Sequence, residues 1–397
     1  MLAWSPQLRG LFKKIIRGSF MSIKSRAVVI RECGVPGPYA ERKLLSVEEV
    51  TLLPPLANEL VVKIAGAGLC HSDLSVMNAT RPRPMPLVLG HEGAGIVEEV
   101  GPSVTDVQVG DHVVFQFSAS CGRCRSCLEG RPQICSTHRK ATANNELMGG
   151  GSRIRDAEGN VLGHHTGVSC FSEYAVVDRG SVVVVDRTIP LADAALFGCA
   201  VMTGVGAATN TARIRVGDSV AVVGLGGVGL NGVMGAKVAG ADQVIGIDID
   251  ERKLAKAMDV GATHSFLASD PDLIEKVRDL TSGGVDFAIE LAGAIGAMRT
   301  AYDLVRRGGS VVTAGLSPAG QDFSFEHATL VAEEKSILGS YMGSCVPVRD
   351  IPRFISLQQQ GRLPVEKLVD EHITFDQINE AFDRLDRGEV VRQILVP

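Results

Sequence analysis

The stretch Val220-Ala-Val-Val-Gly-Leu-Gly-Gly-Val-Gly229 decides the fold of the second half of the chain. Its first four residues form an apolar β-like run, and the rest follow the pattern G-x-G-x-x-G where a helix is expected to begin. Here Gly224 allows a tight turn, Gly226 lets the backbone approach a pyrophosphate, and Gly229 permits close packing of helix on strand. The free N–H groups at the helix N-terminus then face the phosphates. The stretch predicts a dinucleotide-binding turn.

An acidic residue after the next β-like run agrees with this interpretation. Asp248 directly follows Val244–Ile247 and lies 19 residues beyond Gly229. A carboxylate there can accept hydrogen bonds from both hydroxyls of an adenosine ribose, and it would repel a 2′-phosphate. Because no arginine immediately follows Asp248, the sequence favours NAD over NADP. The alternative, a glycine-rich turn beside an ordinary surface aspartate, explains neither the context nor the spacing.

The pattern of β-like and helical segments divides the chain into two folding units. Between about Arg213 and Gly339 the two kinds of segment alternate, which predicts a parallel, doubly wound sheet. Between Arg26 and about Phe197, short β-rich runs separated by glycine and proline predict a compact, partly antiparallel domain. The tail from about Val348 carries two helical segments and ends in a β-like run. The chain is therefore predicted to be of the α/β class.

The composition of the chain argues against several classes of protein. Its 397 residues are enough for two domains, and 45% hydrophobic with 21% charged residues is ordinary for a globular protein. A net charge of −5 provides no general cationic surface, so no nucleic-acid partner is expected. No apolar run reaches the roughly 18 residues that span a bilayer, so no membrane association is expected. Nine cysteines, an odd number, argue against a complete disulfide framework and for a reducing compartment, which predicts a cytoplasmic protein.

The first twenty residues differ from the rest of the chain. They carry four basic side chains and no acid, with apolar residues at roughly helical spacing. This pattern is typical of a basic amphipathic helix, and a transit peptide is one interpretation. The alternative, which we favour, is an upstream extension that precedes Met21 and the β-like run Ala27–Ile30.

Four of the cysteines lie within fifteen residues, as Cys121-x2-Cys124-x2-Cys127-x7-Cys135. Four thiolates at this spacing can form a tetrahedral shell around one zinc ion. The first three also match the start of a ferredoxin iron–sulfur motif, but the fourth spacing differs and no proline follows Cys135. Disulfide pairing is the other alternative. Because a closed four-thiolate shell has no free position for a substrate, we predict a structural zinc site.

Three further residues that could bind a metal lie far apart in the chain. They are Cys70, His91 and Cys199, each beside a glycine-punctuated turn. Two thiolates and one imidazole can bind zinc and leave a fourth position open for chemistry. Spacing alone gives this prediction little support, because an isolated buried cysteine or histidine is more often a core residue.

A family resemblance joins these separate motifs. The motifs that carry it occur together and in this order: Gly90-His-Glu-Gly-Ala-Gly-Ile-Val-Glu-Glu-Val-Gly101, Cys121–Cys135, Gly198-Cys199 and Gly224–Gly229. Together they resemble the zinc-containing medium-chain alcohol dehydrogenases, from about Ala27 to the C-terminus. The stretch from Met148 to Phe171 is similar to that of the long branch, which includes the liver-type and glutathione-linked enzymes.

The resemblance implies a division of the chain into domains. Residues 21–200 and 342–397 would form a GroES-like, β-rich catalytic domain that carries the structural zinc lobe. Residues 201–341 would form a Rossmann NAD-binding domain, and residues 1–20 would be an N-terminal extension. The active site would lie in the cleft between the two domains.

The resemblance also implies two zinc ions per chain, one catalytic and one structural. Cys70, His91 and Cys199 would bind the catalytic zinc. Glu92 would stand behind the metal, and Asp73 would orient His91, as partners of ligating imidazoles usually do.

Further residues are assigned by the resemblance to the substrate side of the cleft. Ser72 matches the hydroxyl that receives the alcohol proton, and Thr203 would lie beside the nicotinamide. Phe117 and Phe171 match positions that line the substrate channel. Ser75 occupies a place where several liver-type enzymes have a histidine, so no catalytic base is predicted beyond Ser72.

The cofactor contacts predicted from the motif and the resemblance together lie in both domains. His71 and Arg392 would contact the pyrophosphate, and Val228 would press on the nicotinamide. The predicted contacts are His71, Gly224, Gly226, Gly227, Val228, Gly229, Asp248, Lys253 and Arg392.

The implied reaction is hydride transfer between a primary aliphatic or aromatic alcohol and NAD. One alternative is the glutathione-adduct formaldehyde dehydrogenase of the same family, whose anion-binding arginine is matched by Arg139. That branch also has an acid in the segment before the His91 motif, whereas residues 78–85 contain Arg81 and Arg83 and no acid. An alternative of another class is a zinc-stabilised, NAD-binding protein without turnover. The family also implies a homodimer or homotetramer.

Overall fold

The computed structural model describes residues 21–397, so the predicted basic helix within residues 1–20 lies outside the described residues. Ten strands lie in the described residues before Cys199: β1 (Ile23–Ile30), β2 (Leu45–Leu52), β3 (Glu59–Gly68), β4 (Leu87–Val88), β5 (Glu92–Val100), β6 (His112–Phe115), β7 (Ile154–Arg155), β8 (Val161–His164), β9 (Tyr174–Asp178) and β10 (Val182–Val184). Five short helices lie among and after them: α1 (Tyr39–Arg42), α2 (His71–Met77), α3 (Arg125–Leu128), α4 (Ser136–Ala143) and α5 (Ala200–Gly206).

Six strands follow the end of α5 and form one parallel sheet. They are β11 (Ser219–Val223), β12 (Gln243–Asp248), β13 (His264–Leu267), β14 (Val285–Glu290), β15 (Val305–Thr313) and β16 (Ser336–Gly339). The helices between them are α6 (Gly227–Ala239), α7 (Glu251–Val260), α8 (Leu273–Leu280), α9 (Ile295–Leu304) and α10 (His327–Ala332). The strand order is β13-β12-β11-β14-β15-β16, with every neighbouring pair parallel.

This sheet confirms the predicted doubly wound architecture. Val220 and Val222 of β11 pack in one apolar cluster, while Ala221 and Val223 pack in another, so both faces of the central strand are buried. A continuous apolar run such as residues 220–223 is typical of a parallel strand covered by helices on both sides. Because the strand order reverses between β11 and β14, a ligand is expected at the carboxyl ends of these strands.

The tail of the chain returns to the first domain. It contains α11 (Pro347–Gln359), β17 (Val369–Ile373), α12 (Ile378–Asp386) and β18 (Arg392–Leu395). Strand β18 pairs with β17 in parallel and with β3 antiparallel, where Ile394 lies opposite Gly68. All strands of the β-rich part therefore fall within residues 21–200 and 342–397, and those of the parallel sheet fall within 201–341.

The β-rich part has two layers. Strands β1, β2, β7, β8 and β4 close into a small barrel, and the second sheet has the order β10-β6-β5-β3-β18-β17, with β9 also paired to β3. Strand β3 is central to that sheet because it pairs with β5, β9 and β18. Two segments of the site lie next to strands of this sheet. Helix α2 closely follows β3, and β5 begins at Glu92.

Shorter helical turns connect these elements. They are 3₁₀ turns, except for the last, a π-helix: Pro132–Ile134, His165–Gly167, Arg179–Ser181, Asp193–Gly198, Met342–Ser344, Val365–Leu368, Phe375–Gln377 and Ala207–Ala212. Within residues 21–397, none of the helices has the length and apolar character needed to cross a membrane.

A buried histidine in the barrel makes the free energy of unfolding depend on pH. His164, at the end of β8, is almost fully buried, and its Nε2 accepts a hydrogen bond from the Arg153 backbone N–H at 3.2 Å. Burial, with a smaller contribution from the charges of Arg153 and Arg155, lowers the pKa of His164 to about 3. The histidine therefore stays neutral in the folded protein at pH values where the unfolded chain takes up a proton.

We expect the folded protein to lose stability as the pH falls from about 6.5, the usual pKa of histidine, towards about 3. The contribution of His164 is at most ~1.4 kcal/mol per pH unit, because one proton separates the two states. Urea unfolding of the wild type and His164→Gln at a series of pH values measures the free energy of unfolding. The variant should show the shallower acid slope, and equal slopes would contradict the assignment.

Candidate active site

Three distant segments bring the predicted catalytic ligands together. Cys70 caps the N-terminus of α2, His91 lies immediately before β5, and Cys199 immediately precedes α5. One donor atom from each of these residues, and one from Glu92, all lie within 4.8 Å of one another. All four side chains are buried. Because these residues lie far apart in the sequence, their spacing gave little support for a shared metal site. The pairing of β3 with β5 explains how Cys70 and His91 come together.

Asp73 holds the imidazole of His91 in place. Its Oδ1 lies 3.1 Å from His91 Nδ1 and also accepts the Gly90 backbone N–H at 3.2 Å. Burial alone would lower the pKa of His91, but the Asp73 carboxylate raises it well above its usual value. The other ring nitrogen, Nε2, is buried and has no hydrogen-bond partner among the described residues. A buried nitrogen without a partner is costly, so its orientation towards the two cysteines fits a metal ligand.

The two cysteines share one hydrogen bond. The hydrogen bond with Cys199 holds the pKa of the Cys70 thiol well below its usual range, and the same bond holds the pKa of Cys199 well above. A bound divalent ion would favour the thiolate form of both cysteines. The donor set of two sulfurs and one imidazole therefore fits zinc.

Glu92 lies close enough to share the site. Its Oε1 accepts the Ala200 backbone N–H at 3.1 Å, and its Oε2 lies 3.5 Å from Nη1 of Arg392. Burial raises the pKa of Glu92 to about 7, against the lowering effect of Arg392. The carboxylate is thus held between the thiol–imidazole group and a buried arginine from the last strand.

A second histidine, which sequence reasoning missed, joins this group. Nδ1 of His165 lies 3.0 Å from the same Oδ1 of Asp73, and its ring stands edge-on to His91 with the centroids 5.4 Å apart. Asp73 therefore contacts two imidazoles instead of one. The only signal in the sequence is the pair His164-His165 between Gly163 and Gly167, which does not say which of the two faces the site.

The four-cysteine segment folds into a compact lobe around α3. Sγ of Cys135 accepts hydrogen bonds from the backbone N–H groups of Cys121 and His138, and Sγ of Cys121 accepts one from the backbone N–H of Cys124. The distances are 3.3 to 3.5 Å. Sγ of Cys124 and Sγ of Cys135 are 3.8 Å apart, too far for a disulfide, and all nine cysteines of the chain are free. One sulfur from each of the four cysteines lies within 4.8 Å of the others. The lobe thus provides the four-sulfur donor set of a structural zinc site.

The glycine-rich turn lies between β11 and α6, as the sequence predicts. Gly224 has a φ of 92°, and a Cβ at Gly229 would lie 1.8 Å from the Gly224 carbonyl oxygen, so both positions require glycine. A Cβ at Gly226 would meet nothing within 4 Å, which shows that the turn faces open space. Asp248 closes β12, and its Oδ2 accepts the backbone N–H of Leu225 at 2.7 Å. These positions fit a dinucleotide that lies across the turn.

One cleft connects the turn to the thiol–imidazole group. It has a volume of about 760 Å³. Both domains line it, and the predicted site residues on its wall are Cys70, His71, Ser72, Phe117, Cys199, Thr203, Gly224, Gly226, Gly227, Val228, Asp248, Lys253 and Arg392. Glu92, His91 and Asp73 lie behind this wall and are fully buried.

The two phenylalanines predicted for the substrate channel have different surroundings. Phe117 lines the cleft, with its ring edge-on to His91 at a centroid distance of 4.9 Å. Phe171 does not: it is fully buried, packs against Phe382 at 6.1 Å and touches the position of Gly90. Its assignment to the channel is therefore corrected to a core position, because the ring packs within the apolar cluster of the β-rich part.

Three residues that the sequence did not identify complete the substrate end of the cleft. Arg81 follows α2, and Tyr341 and Met342 follow β16, close to the predicted domain boundary. The Tyr341 ring lies 6.4 Å from that of Phe117, and Met342 Sδ accepts the Thr203 hydroxyl at 3.7 Å. These side chains come from segments without a recognisable motif, so only the folded chain places them here.

Comparisons with known proteins agree with this arrangement. The family model described as alcohol dehydrogenase GroES-like domain matches residues 56–187, and that described as zinc-binding dehydrogenase matches residues 227–360. S-(hydroxymethyl)glutathione dehydrogenase of Saccharomyces cerevisiae is 38% identical over 371 residues, covering 92% of this chain and 96% of the relative.

Solved structures of similar proteins have the same fold. The alcohol dehydrogenase zinc-binding domain protein from Burkholderia ambifaria matches with a TM-score of 0.90 at 34% identity, covering 95% of this chain and 100% of that one. Benzyl alcohol dehydrogenase from Acinetobacter calcoaceticus matches with a TM-score of 0.85 at 32% identity, covering 94% and 99%. A zinc-binding dehydrogenase from Sinorhizobium meliloti 1021, bound to NADP, matches with a TM-score of 0.76 at 26% identity, covering 94% and 100%.

The extent of these matches covers both domains, the metal-ligand segments and the glycine-rich turn. The chain is therefore an oxidoreductase that belongs to the zinc-containing medium-chain alcohol dehydrogenase family.

Proposed function

We propose that this protein interconverts a primary alcohol and its aldehyde, with zinc at the catalytic site and NAD as the hydride carrier. The observation that carries the proposal is that Cys70 and Cys199, with His91 directly behind them, lie on the wall of the same cleft as the glycine-rich turn. A metal-bound substrate and a nicotinamide could therefore share one cavity.

The chain's own residues would divide the work as follows. Cys70, His91 and Cys199 would hold the zinc, which when bound acts as a Lewis acid on the substrate oxygen. Asp73 fixes the ring of His91 so that Nε2 faces the two sulfurs. Ser72, on the cleft wall two residues after Cys70, supplies a hydroxyl that can take up the alcohol proton.

Helix α2 has no histidine after Ser72 that could accept the proton next. Ser75 donates its hydroxyl to the carbonyl oxygen of His71 at 2.7 Å, which ties it to the backbone of α2. We therefore assign Ser75 no part in proton transfer and place the exit towards the open cleft.

We infer a preference for NAD from Asp248. Its two carboxylate oxygens accept the backbone N–H groups of Leu225 and Asp250 at 2.7 and 3.0 Å, which keeps the charge at the end of β12. Nζ of Lys253 lies 3.8 Å away on the cleft wall. A fixed carboxylate at this position favours a ribose with free hydroxyls over one with a 2′-phosphate.

A second candidate function is the oxidation of a glutathione adduct of formaldehyde. It is favoured by the similarity to the yeast S-(hydroxymethyl)glutathione dehydrogenase. The segment before the His91 motif argues against it, since Arg81 and Arg83 stand where that branch is expected to have an acid. We propose a cytoplasmic homodimer or homotetramer for either function.

A substrate panel tests the proposal. The holoenzyme, with its zinc content measured, is assayed for reduction of NAD and of NADP with aliphatic, benzylic and terpenoid alcohols and with formaldehyde plus glutathione. We expect about two zinc ions per chain and turnover of simple alcohols with NAD in preference to NADP. Activity only with the glutathione adduct would favour the second candidate, and a chain with two zinc ions but no turnover would overturn both.

A further inference from the structure

We propose that the substrate of this enzyme carries a carboxylate, which Arg81 binds at the outer end of the cleft. This inference rests on the proposed alcohol–aldehyde function and narrows its substrate class. It stands on the position of Arg81, its free hydrogen-bond donors and the lack of an acidic partner around it.

Arg81 is fixed at the cleft by its backbone and by one side-chain contact. Its N–H donates to the Ser75 carbonyl oxygen at 2.8 Å, which ends the turn after α2. Its half-buried side chain lines the cleft, and Nη2 donates to the Leu316 carbonyl oxygen at 2.5 Å. Leu316 belongs to the domain of the parallel sheet, so this hydrogen bond joins the two domains along the cleft wall.

Most of the donors of this guanidinium remain available. An arginine has five N–H donors, and within residues 21–397 the side chain of Arg81 makes only the bond to Leu316. A planar fork of donors held at a cleft wall is suited to a carboxylate, which it can bind through two parallel hydrogen bonds.

No acid neutralises this positive charge in the described part of the chain. No carboxylate oxygen there lies within 4.0 Å of the guanidinium, whereas buried Arg153 is paired with Glu59 at 2.8 Å. The acid on the cleft wall, Asp248, is held by backbone N–H groups and lies near Lys253 instead. A half-buried cation without a counter-ion is unfavourable, and an anionic ligand would relieve this.

Two other arginines, Arg83 and Arg139, lie close enough to Tyr341 on the cleft wall for their charges to act on it. Arg83 donates to the Thr142 carbonyl oxygen at 2.9 Å, which holds it between the barrel and α4. Burial raises the pKa of Tyr341 on the cleft wall, while the charges of Arg83, Arg81 and Arg139 oppose that rise. Three cations therefore act on one residue of the substrate end, and they would attract a negatively charged substrate.

The contact with Leu316 suggests a competing role, in which Arg81 only fastens the two domains together. The two roles predict different effects of a substitution. A fastener would affect all substrates alike, whereas an anion-binding residue would affect charged substrates far more than neutral ones.

The experiment compares matched charged and neutral substrates on the zinc-loaded enzyme with NAD. The pairs are 4-(hydroxymethyl)benzoate with 4-(hydroxymethyl)benzamide, and 6-hydroxyhexanoate with 6-hydroxyhexanamide. We expect the wild type to favour the carboxylate of at least one pair in kcat/KM by about 10-fold or more, mainly through a lower KM. Arg81→Gln should lower that preference by about 10- to 100-fold, and Arg81→Lys should retain part of it.

Arg215→Gln provides the matched control, since it removes an exposed arginine outside the cleft wall and should leave the preference unchanged. A wild type that oxidises the amides as well as the carboxylates overturns the inference but leaves the proposed function intact. If Arg81→Gln lowers kcat/KM equally for both members of a pair, the inference is also overturned, and Arg81 only fastens the two domains together. If neither these pairs nor any simple alcohol reacts, the proposed function itself has failed.

Discussion

Cys70→Ser is expected to lower kcat/KM for alcohol oxidation by about 1000-fold or more, equivalent to about 4 kcal/mol of transition-state stabilisation. The thiol of Cys70 is buried beside Cys199, and the hydrogen bond between them already lowers its pKa strongly. A serine hydroxyl is not deprotonated there and binds zinc poorly compared with a thiolate. Zinc content should therefore fall from about two ions per chain to about one.

Cys33→Ser is the matched control for this prediction. Cys33 is a free cysteine that belongs to none of the three groups of possible metal-binding side chains among the described residues. It should retain full activity and two zinc ions. If Cys70→Ser kept both its metal content and its activity, Cys70 would not be a ligand and the proposed catalytic site would be wrong.

The main effect expected of Cys127→Ser is a lower thermal stability of the protein. Its sulfur lies within 4.8 Å of those of the other three cysteines of the lobe, and the lobe has few alternative contacts, since none of the residues of α3 is buried. Structural zinc sites contribute on the order of 10 kcal/mol to the folding of small domains, so the loss of one ligand should be severe. We expect the midpoint of thermal unfolding to fall by about 10 °C or more, at roughly 2–4 °C per kcal/mol.

The comparison with Cys70→Ser separates the two metal sites. Both variants should lose one zinc ion, but only Cys127→Ser should show a large decrease in the unfolding temperature at full occupancy of the remaining site. Zinc analysis together with differential scanning calorimetry measures this. Similar unfolding temperatures for Cys127→Ser and the wild type would contradict a structural role for the lobe.

The parts of the site that depend on local sequence could be predicted. The turn at residues 224–229 needs glycine for reasons confined to a few neighbouring atoms, and Gly224 and Gly229 meet those requirements in the structure. The four cysteines of the lobe lie close together in the chain, so their spacing alone brings their sulfurs near one another.

The parts that depend on how distant segments pack could not be predicted from the residues alone. Phe117 and Phe171 are chemically identical, yet Phe171 packs in the core of the β-rich part while Phe117 lines the cleft. His164 and His165 are adjacent in sequence, yet one is enclosed by the barrel and the other contacts Asp73. Such outcomes depend on tertiary contacts that no local pattern encodes.

The return of the last strand has a consequence for biosynthesis. Arg392 in β18 donates to the Leu69 carbonyl oxygen at 3.1 Å, lies 3.5 Å from Glu92, and leaves no room for a Cβ at Gly227. It therefore touches the segments before Cys70 and after His91 as well as the glycine-rich turn. During translation the segments around Leu69 and Glu92 leave the ribosome about 300 residues or more before Arg392 does. The nascent chain therefore cannot form these contacts of the site until β18 has emerged.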